Sequence, residues 1–428
     1  MKIRTIIIVI LITGLLLTSL LFLPVSRERR QLIRDMERIT KDHDLMGGML
    51  AVFDNEQIIF SYPFGTADLQ KDIPVRNSTC FRIASISKVV TAIAVMQLYE
   101  SGLLDIDEDI GSIPGFALRN PNFPDTPITP RMLLSHTSGL IDGETYSNFI
   151  AATFDSSPII GIGEILTPEG SFYTHRQFSE REPGTYFSNA NINYGILGTL
   201  VKKVSGLRFD RYCRQHILIP LGIEGSFNVT DLSNMGRLAV LYRKIDGEWM
   251  PQADNYADAG PVLPDTNNYV PGTNGFLFAP QGGLRVSGTD LTGIFSALMD
   301  QGTYRNTRIL KAETVSEMLS PDWEYTGDNG DDYYGLFQSW GLGIHIPTNT
   351  PGKDVVLSSS RHLFGHPGEA YGLVSAAYID TSLKRGFVFM TNGCGSGYKP
   401  DTSSSFYSVE REVFDAVEAY IMSTVKKR

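Results

Sequence analysis

The sequence predicts a mixed α/β fold in which both ends of the chain build one lobe and a mostly helical region is inserted between them. Strand-like apolar runs near both ends of the chain are the first observation that predicts it. The second is helical spacing of apolar residues after residue 85 and over residues 405–426. The third is the stretch of about 103–274, where Pro and Gly interrupt short helical and loop segments. The strand-like runs lie at residues 48–53, 57–62, 342–346, 373–379 and 386–390.

The first elements follow from local patterns. Residues 27–43 have apolar side chains at helical spacing and predict an amphipathic helix. The runs 48–53 and 57–62 flank a turn at Asp54-Asn55-Glu56 and predict a β-hairpin. The apolar helix that starts at Ser85 is expected to end near Gly102, a common residue at helix ends.

Composition excludes several classes of protein. The 428 residues are 42% hydrophobic and 20% charged, which is typical of a globular chain. A formal charge of −10 argues against a nucleic-acid partner, because phosphate contacts require a basic face. The sequence has no CxxC and no HExxH, so we predict neither a metal site nor a cofactor. Cys80, Cys213 and Cys394 are expected to be free buried thiols, although a disulfide between two of them stays open.

The N-terminus carries an uncharged apolar stretch, Thr5 to Ser26, which is long enough to cross a bilayer as a helix. We therefore predict a signal-anchor over 1–26, with a cleaved signal peptide as the alternative. The remaining chain, 27–428, is predicted to be one domain. Its α/β lobe comprises about 27–102 and 275–428, and its helical region about 103–274.

Ser85-Ile86-Ser87-Lys88 is the first candidate for chemistry. Two other Ser-x-x-Lys sequences lie in a glycine-rich loop and at the chain end, whereas Ser85 opens a long apolar helix. A serine there lies near unpaired N–H groups, and a lysine one turn later lies on the same side. Because the helix is apolar nearly all round, Lys88 is expected to be buried, and its neutral amine could take the serine proton. The alternative is a capping serine with a surface lysine.

Three further features carry less weight. The octapeptide at 133–140 contains His136, which is expected to bond local backbone groups. Gln281-Gly282-Gly283-Leu284 predicts a structural turn that leads into a helix at 287–299. A Gly-x-Ser-x-Gly motif is absent, which disfavours an α/β-hydrolase.

Several short motifs occur in one order along the chain, and together they resemble the serine β-lactamase-related family. They are Phe81–Lys88, Leu133–Leu140, Pro183-Gly184-Thr185, Gln281–Leu284 and Gly365-His366-Pro367-Gly368. This family includes class C β-lactamases, DD-peptidases and penicillin-binding esterases, and the resemblance covers about residues 45 to 420. It implies a β-lactamase/transpeptidase-like fold, in which helices flank an antiparallel sheet and a mostly helical subdomain is inserted.

The resemblance also implies roles for particular residues. Ser85 would be the acylated nucleophile and Lys88 its proton partner. His366-Pro367-Gly368 matches the third triad on a strand at the edge of the site, where His366 could donate to a substrate or move a proton. Gly368 would let a ligand approach the backbone, and the N–H groups of Ser85 and Glu369 would form the oxyanion hole.

The second triad of the family, usually Tyr-x-Asn, departs from the pattern here. The ungapped alignment gives Asn189-Ala190-Asn191, and a gapped one gives Phe187-Ser188-Asn189. Neither places a phenol at the expected position, so we assign Asn189 to the substrate side and Asn191 to orienting substrate and Lys88. The role of base then falls on Lys88 or His366, because an amide does not relay a proton.

Two functions remain as hypotheses. The first is an extracytoplasmic serine hydrolase that acts through an acyl-enzyme on a peptide, ester or β-lactam carbonyl. The second is a catalytically impaired relative that binds or senses cell-wall-type ligands, which the missing tyrosine motivates. The expected partners are a small-molecule or peptide substrate and the membrane, with the domain facing the periplasm or cell exterior. The arginines at 27, 29, 30 and 34 conflict with that orientation under the positive-inside rule, so it rests on the resemblance.

Overall fold

The computed structural model describes residues 26–113, 117–256, 269–270, 272–360, 362–398, 400–401 and 403–425. The helices are α1 (Arg27–Asp42), α2 (Ser87–Glu100), α3 (Pro130–Leu134), α4 (Glu144–Asp155), α5 (Gly163–Leu166), α6 (Asn191–Ser205), α7 (Phe209–Cys213), α8 (Gly288–Met299), α9 (Ala312–Met318) and α10 (Ser408–Val425). The first eight strands are β1 (Gly47–Asp54), β2 (Gln57–Asp68), β3 (Ile73–Pro74), β4 (Cys80–Arg82), β5 (Gly225–Ser226), β6 (Leu241–Ile245), β7 (Glu248–Ala253) and β8 (Arg285–Ser287). The others are β9 (Thr303–Tyr304), β10 (Thr307–Arg308), β11 (Trp323–Glu324), β12 (Ser339–Trp340), β13 (Leu363–Ala370), β14 (Leu373–Asp380) and β15 (Arg385–Thr391).

An antiparallel six-stranded sheet joins the two ends of the chain. Its strand order is β13-β14-β15-β1-β2-β3, so the N-terminal hairpin pairs directly with the C-terminal strands. In this pairing Leu50 lies opposite Phe389 on β15 and opposite Tyr62 on β2. The predicted fold class, an antiparallel sheet with flanking helices, is confirmed. The boundaries of the predicted domain division stay a prediction.

Strand β1 is apolar along its whole length because both faces of the sheet are covered. Met49, Ala51 and Phe53 point into the larger core, on the side where α8 packs. Leu50 and Val52 point into a second core, where α1 packs against α10. A strand with two buried faces loses the apolar–polar alternation of a half-exposed strand.

Helix α2 is buried on nearly all sides and packs against α6. The apolar helix after Ser85 therefore exists, but its start differs from the prediction. The α-helix begins at Ser87, and Ser85 lies two residues earlier in a short 3₁₀ helix, Ala84–Ile86. Ser85 thus precedes the first α-helical turn and does not form its N-terminus.

The strand predicted at Leu342–Ile346 is wrong. The structure has only the short strand β12 before it, and Leu342–Ile346 forms isolated bridges. Gly343 has a φ of +76°, a left-handed conformation that interrupts an extended strand. His345 nevertheless pairs with Gly365 on the outer edge of β13, so this segment borders the sheet without joining it as a strand.

The signal-anchor predicted for 1–26 lies, apart from Ser26, outside the described residues. Among the residues that the structure describes, no helix is long and apolar enough to span a bilayer. Cys80, Cys213 and Cys394 are all free and buried, as predicted.

Candidate active site

Ser85 lies on a tight turn between strand β4 and helix α2. The preceding residue, Ala84, has a φ of +48°, which is unusual for a residue with a side chain and indicates local strain. Neighbours fix this turn: the Ile83 N–H donates to the carbonyl of Leu284 at 3.1 Å. Ser85 itself is half-buried. The turn therefore holds the serine hydroxyl at the surface of the core and not inside it.

Lys88 is buried beneath Ser85 in the first turn of α2 and is only 1% exposed. Its Nζ lies 2.8 Å from Ser85 Oγ, 2.9 Å from Asn191 Oδ1 and 3.2 Å from the carbonyl oxygen of Gln281. Burial lowers the pKa of Lys88 to about 8, and the negative charge of Asp142 opposes this shift. A substantial fraction of this amine is therefore neutral near physiological pH.

The partners of Lys88 determine where its lone pair points when it is neutral. The amide oxygen of Asn191 and the carbonyl of Gln281 can only accept hydrogen bonds, so two N–H groups of the amine are directed to them. Ser85 Oγ is the one partner that can donate as well as accept. The neutral amine consequently accepts from the serine hydroxyl, which is the arrangement that removes a proton from the nucleophile.

Asn191 is held in one orientation by Asp142. The Asp142 carboxylate accepts from Asn191 Nδ2 at 2.8 Å, from the Asn191 backbone N–H at 2.7 Å and from the Ile192 backbone N–H at 3.0 Å. A carboxylate cannot donate, so the amide nitrogen must face Asp142 and the amide oxygen must face Lys88. The same carboxylate caps helix α6, whose own N-cap residue, Ala190, has no capping side chain.

The segment that carries His136 also makes hydrogen bonds with the start of helix α6. His136 Nδ1 accepts from the Ala190 backbone N–H at 3.1 Å, and Ser138 Oγ donates to Asn193 Oδ1 at 2.7 Å. The His136 ring packs in an edge-to-face contact on Trp340 and is buried. Burial holds the pKa of His136 well below its usual value. The structure thus places His136 among backbone groups, as predicted for it.

Strand β13 packs against the serine turn. We call the side of this contact that faces the Ser85 hydroxyl and the outer edge of β13 the cleft. Gly365 exchanges backbone hydrogen bonds of 3.0 and 2.8 Å with His345, so its polar groups face away from β14. Backbone direction repeats every two residues along a strand, and the Glu369 N–H therefore faces the same outer side. Pro367 lies between them at an edge position where no N–H is needed. The Glu369 side chain is exposed and accepts from the Tyr407 hydroxyl.

Gly368 lets β13 approach the serine turn. A Cβ atom added at residue 368 would lie 2.3 Å from Ser375 Oγ and 2.9 Å from the Ile83 carbonyl oxygen.

Gly368→Ala is therefore expected to push β13 away from the serine turn. Because a displacement of about 1 Å of a hydrogen-bond donor can cost a factor of about 100 in rate, we expect kcat for ester hydrolysis to fall about 100-fold. Gly161→Ala is the matched control, since its nearest neighbour would be 3.9 Å away, and kcat should be unchanged. Equal kcat values for the two variants would contradict the close-approach argument.

His366 is buried, and its expected role toward substrate stays a prediction. Its Nδ1 lies 2.5 Å from the Pro367 carbonyl oxygen, so Nδ1 carries the proton and Nε2 is the unprotonated nitrogen. The ring packs edge-to-face on Trp340 and is 1% exposed. Burial, together with the charge of Lys88, holds the pKa of His366 well below its usual value. Any role of His366 is therefore exerted by a neutral, buried ring.

The structure also distinguishes the two alignments of the middle triad. Asn191 is the residue that contacts Lys88, which favours the ungapped alignment, Asn189-Ala190-Asn191. Phe187 is buried and stacks on Trp323, so it does not face the site. Tyr194 is buried too, and its hydroxyl donates to the Leu134 carbonyl at 3.2 Å.

A phenol from elsewhere in the chain contacts the backbone at Asn189. The Tyr333 hydroxyl donates to the backbone oxygen of Asn189 at 3.1 Å. Burial, together with the charges of Asp331 and Asp142, raises the pKa of Tyr333 to about 12, so this phenol stays protonated. It can donate a hydrogen bond at the rim of the cleft but cannot act as a base near neutral pH.

Sequence reasoning missed three groups of the site. Asp142 follows the His136 octapeptide by two residues, but nothing in the sequence shows that it reaches Asn191. Gln281 was expected to be purely structural, whereas its carbonyl binds Lys88. Tyr333 comes from a remote loop. Of these three residues, only Asp142 has a usable signal in the sequence, because it is an acidic residue next to a recognised motif.

The comparisons with known proteins agree with this geometry. The family model described as Beta-lactamase matches residues 31–402, which is most of the chain. The fold and the family define a serine hydrolase of the β-lactamase-related type. The chain belongs to the β-lactamase family, and the predicted resemblance is confirmed.

Individual relatives are distant but extensive. Penicillin-binding protein 4* of Bacillus subtilis (strain 168) is 27% identical over 382 residues, which cover 86% of this chain and 72% of the relative. The structure of EstCE1, a hydrolase with promiscuous acyltransferase activity, has a TM-score of 0.67 at 18% identity and covers 92% of this chain and 100% of its own. The D-amino acid amidase of Ochrobactrum anthropi SV3, complexed with D-phenylalanine, has a TM-score of 0.62 at 23% identity, with coverages of 93% and 99%. At these identities the two structures show the fold alone.

Proposed function

We propose that this protein is an extracytoplasmic serine hydrolase that cleaves a peptide or ester carbonyl through an acyl-enzyme on Ser85. The observation that carries the proposal is the 2.8 Å approach of a buried lysine amine to Ser85 Oγ, with two acceptor-only partners that direct its lone pair to the serine. The apolar N-terminal segment motivates the proposed membrane anchor, and the penicillin-binding relative is consistent with an extracytoplasmic location. Membrane attachment and a peptide or small-molecule substrate belong to the proposal.

The reaction follows from these contacts. Ser85 Oγ attacks the carbonyl carbon while its proton passes to Lys88 Nζ, and the N–H groups of Ser85 and Glu369 bind the oxyanion. The C–O or C–N bond then breaks, and the leaving group takes the proton from Lys88. Water attacks the acyl ester, Lys88 accepts a proton from it, and the proton returns to Ser85 as the acid departs. One N–H of Asn191 Nδ2 is bound to Asp142, and the other is available to the substrate.

The substrate preference rests on the middle triad. Asn189 replaces the usual tyrosine, so the site departs from the β-lactamase pattern, and we favour a peptide or ester over a β-lactam. The fold is shared with a hydrolase that has promiscuous acyltransferase activity and with a D-amino acid amidase, so it is a fold that can carry such a reaction. Nothing in this chemistry requires a metal or an organic cofactor.

A second candidate is an impaired relative that binds cell-wall-type ligands without turnover. The amide at Asn189 favours it, because loss of one general acid–base group typically lowers rates by about 10²–10⁴. The two functions are distinguished by incubating the protein with 4-nitrophenyl butyrate and with a fluorophosphonate, then measuring nitrophenol release and intact mass. Multiple turnovers support the hydrolase. A stable adduct without turnover, or no adduct at all, supports the binding protein and contradicts our proposal.

The pH dependence of ester hydrolysis follows from the pKa of Lys88. Only the neutral amine can accept the serine proton, and it forms as the pH rises through about 8. We therefore expect kcat/KM to increase between pH 6 and pH 9 with a midpoint near 8, after subtraction of the rate of Ser85→Ala. A corrected profile that is flat or falls over this range would contradict the role of Lys88 as base.

A further inference from the structure

Arg82 carries a charge at one end of the cleft that no acidic group of the described residues neutralises by direct contact. It is the last residue of β4, three positions before Ser85, and it is half-buried. Its Nε donates to the Gly282 carbonyl oxygen at 3.1 Å. The other four N–H groups of the guanidinium have no acceptor among the described residues. Its terminal nitrogens are not among the buried unpaired atoms of the described residues, so they reach solvent and are accessible to an anionic ligand.

The neighbouring charges do not supply that anion. Asp254 is already engaged by Arg285, with hydrogen bonds of 3.2 Å from Nε and 2.6 Å from a terminal nitrogen. Tyr256 also donates to Asp254, at 3.1 Å. The titratable groups that face Arg82 are Arg285, Asp254, Tyr256 and Tyr371. Arg82 and Arg285 carry two positive charges and Asp254 carries one negative charge, so one positive charge is in excess.

The position of Arg82 relates it to the reacting atoms. Gly282, which accepts from Arg82, follows Gln281, whose carbonyl binds Lys88. A Cβ added at Gly282 would lie 3.7 Å from the carbonyl carbon of Ala84, so this loop packs against the serine turn. On the other wall, the Tyr371 ring centroid is 5.0 Å from the guanidinium carbon.

Tyr371 also shows at which end of the cleft the guanidinium lies. It follows Glu369 by two residues, at the turn between β13 and β14. Its φ of +55° and its 44% exposure place the ring at the tip of this hairpin. The guanidinium therefore lies beside the tip of the β13–β14 hairpin, two residues along the chain from Glu369.

We propose that Arg82 binds a carboxylate of the substrate, so that the preferred substrates are esters or amides with an anionic group a few atoms from the scissile carbonyl. The planar guanidinium offers parallel N–H groups that match the two oxygens of a carboxylate. The Tyr371 ring lies beside the guanidinium, and only Nε is engaged by the protein, so the terminal nitrogens remain for the ligand. This inference rests on the proposed function, since it names the substrate class of the same site.

Two pairs of esters test the proposal and locate the carboxylate. The first pair compares 4-nitrophenyl hemiglutarate with 4-nitrophenyl pentanoate, which places the charge in the acyl group. The second compares 3-carboxy-4-nitrophenyl butyrate with 4-nitrophenyl butyrate, which places it in the leaving group. We expect Arg82→Gln to lower the charged-to-neutral ratio of kcat/KM about 10- to 100-fold in one pair, the range of a hydrogen-bonded charge, and Arg82→Lys to lower it less. Arg119→Gln, a surface arginine paired with Asp109, should leave both ratios unchanged.

The outcomes separate this inference from the proposed function. Hydrolysis of the neutral esters with equal ratios in wild type and Arg82→Gln overturns the carboxylate site alone. If no ester is hydrolysed, the hydrolase proposal fails, and glutarate binding then decides about Arg82. The proposal requires glutarate to raise the Tm of the wild type and of Arg119→Gln but not of Arg82→Gln. If Arg82→Gln does not fold, the same comparisons are made with Arg82→Lys, and an unchanged ratio and unchanged glutarate response overturn the proposal.

Discussion

Lys88→Met is expected to lower kcat for ester hydrolysis by about 10²–10⁴-fold while the protein stays folded. The variant removes the proton acceptor of Ser85, and a general base typically contributes a factor of this size. Methionine is unbranched and apolar, so it fills the buried space of the lysine without an unsolvated charge. Steady-state hydrolysis of 4-nitrophenyl butyrate, together with thermal unfolding, measures both quantities.

Lys202→Met is the matched control for this variant. Lys202 is also fully buried and also has a pKa well below its usual value because of burial, but its Nζ donates to the Asn274 carbonyl at 3.0 Å, not to Ser85. We expect kcat of Lys202→Met to stay within a few-fold of wild type. Similar losses in both variants would mean that the effect comes from the core, and retained activity in Lys88→Met would exclude Lys88 as the base.

Asp142→Asn is expected to lower kcat about 10- to 100-fold and to move the pH profile toward acid. The carboxylate fixes the Asn191 amide through charge-assisted hydrogen bonds, each of which typically contributes about 1.5–3 kcal/mol. Its negative charge also raises the pKa of Lys88 against the effect of burial. When that charge is removed, the pKa of Lys88 falls below about 8, so the neutral amine forms at lower pH. The pH dependence of kcat/KM measures the shift.

A shift of the pH profile distinguishes an effect of Asp142 on the position and pKa of the site residues from a simple loss of protein stability. Asp109→Asn is the control, because Asp109 caps a short helix by accepting from the Gly111 N–H at 2.9 Å and bonds Arg119 away from the site. That variant should keep the wild-type midpoint. An Asp142→Asn midpoint that stays near 8, or moves toward alkaline pH, would show that Asp142 does not act on Lys88.

The sequence was informative where one local pattern determines the outcome. The Ser85–Lys88 spacing and the apolar helix predicted a buried lysine next to a serine, and the structure shows both. The hairpin at the start of the chain was predicted because strand periodicity and turn residues coincide there. Both features depend on neighbours within a few residues.

The rest of the fold and of the candidate site depends on contacts between residues that are far apart in the sequence, and no local pattern encodes these contacts. Asp142 meets Asn191 across 49 positions, and Tyr333 meets Asn189 across 144. Gly343 interrupts the strand that the apolar residues at 342–346 predict, because its left-handed backbone conformation outweighs the side-chain pattern. The motif at 365–368 predicts a site histidine at His366, but the burial of its ring against Trp340 depends on how the strands pack and is not encoded locally.

The structure also bears on the missing tyrosine of the middle triad. Lys88 has a lowered pKa and a lone pair directed at Ser85, so proton abstraction does not need a phenolate. His366 is neutral and buried, and Tyr333 remains protonated at the rim. Of the titratable groups described near Ser85, Lys88 is therefore the one suited to act as the base.

Peptide mapping of the enzyme quenched during turnover of an activated ester gives the most direct measurement. We predict one acylated residue, located at position 85, which is absent from Ser85→Ala and accumulates more slowly in Lys88→Met. Acyl groups on a different residue, or on residue 85 at equal rates with and without the lysine, would contradict the account.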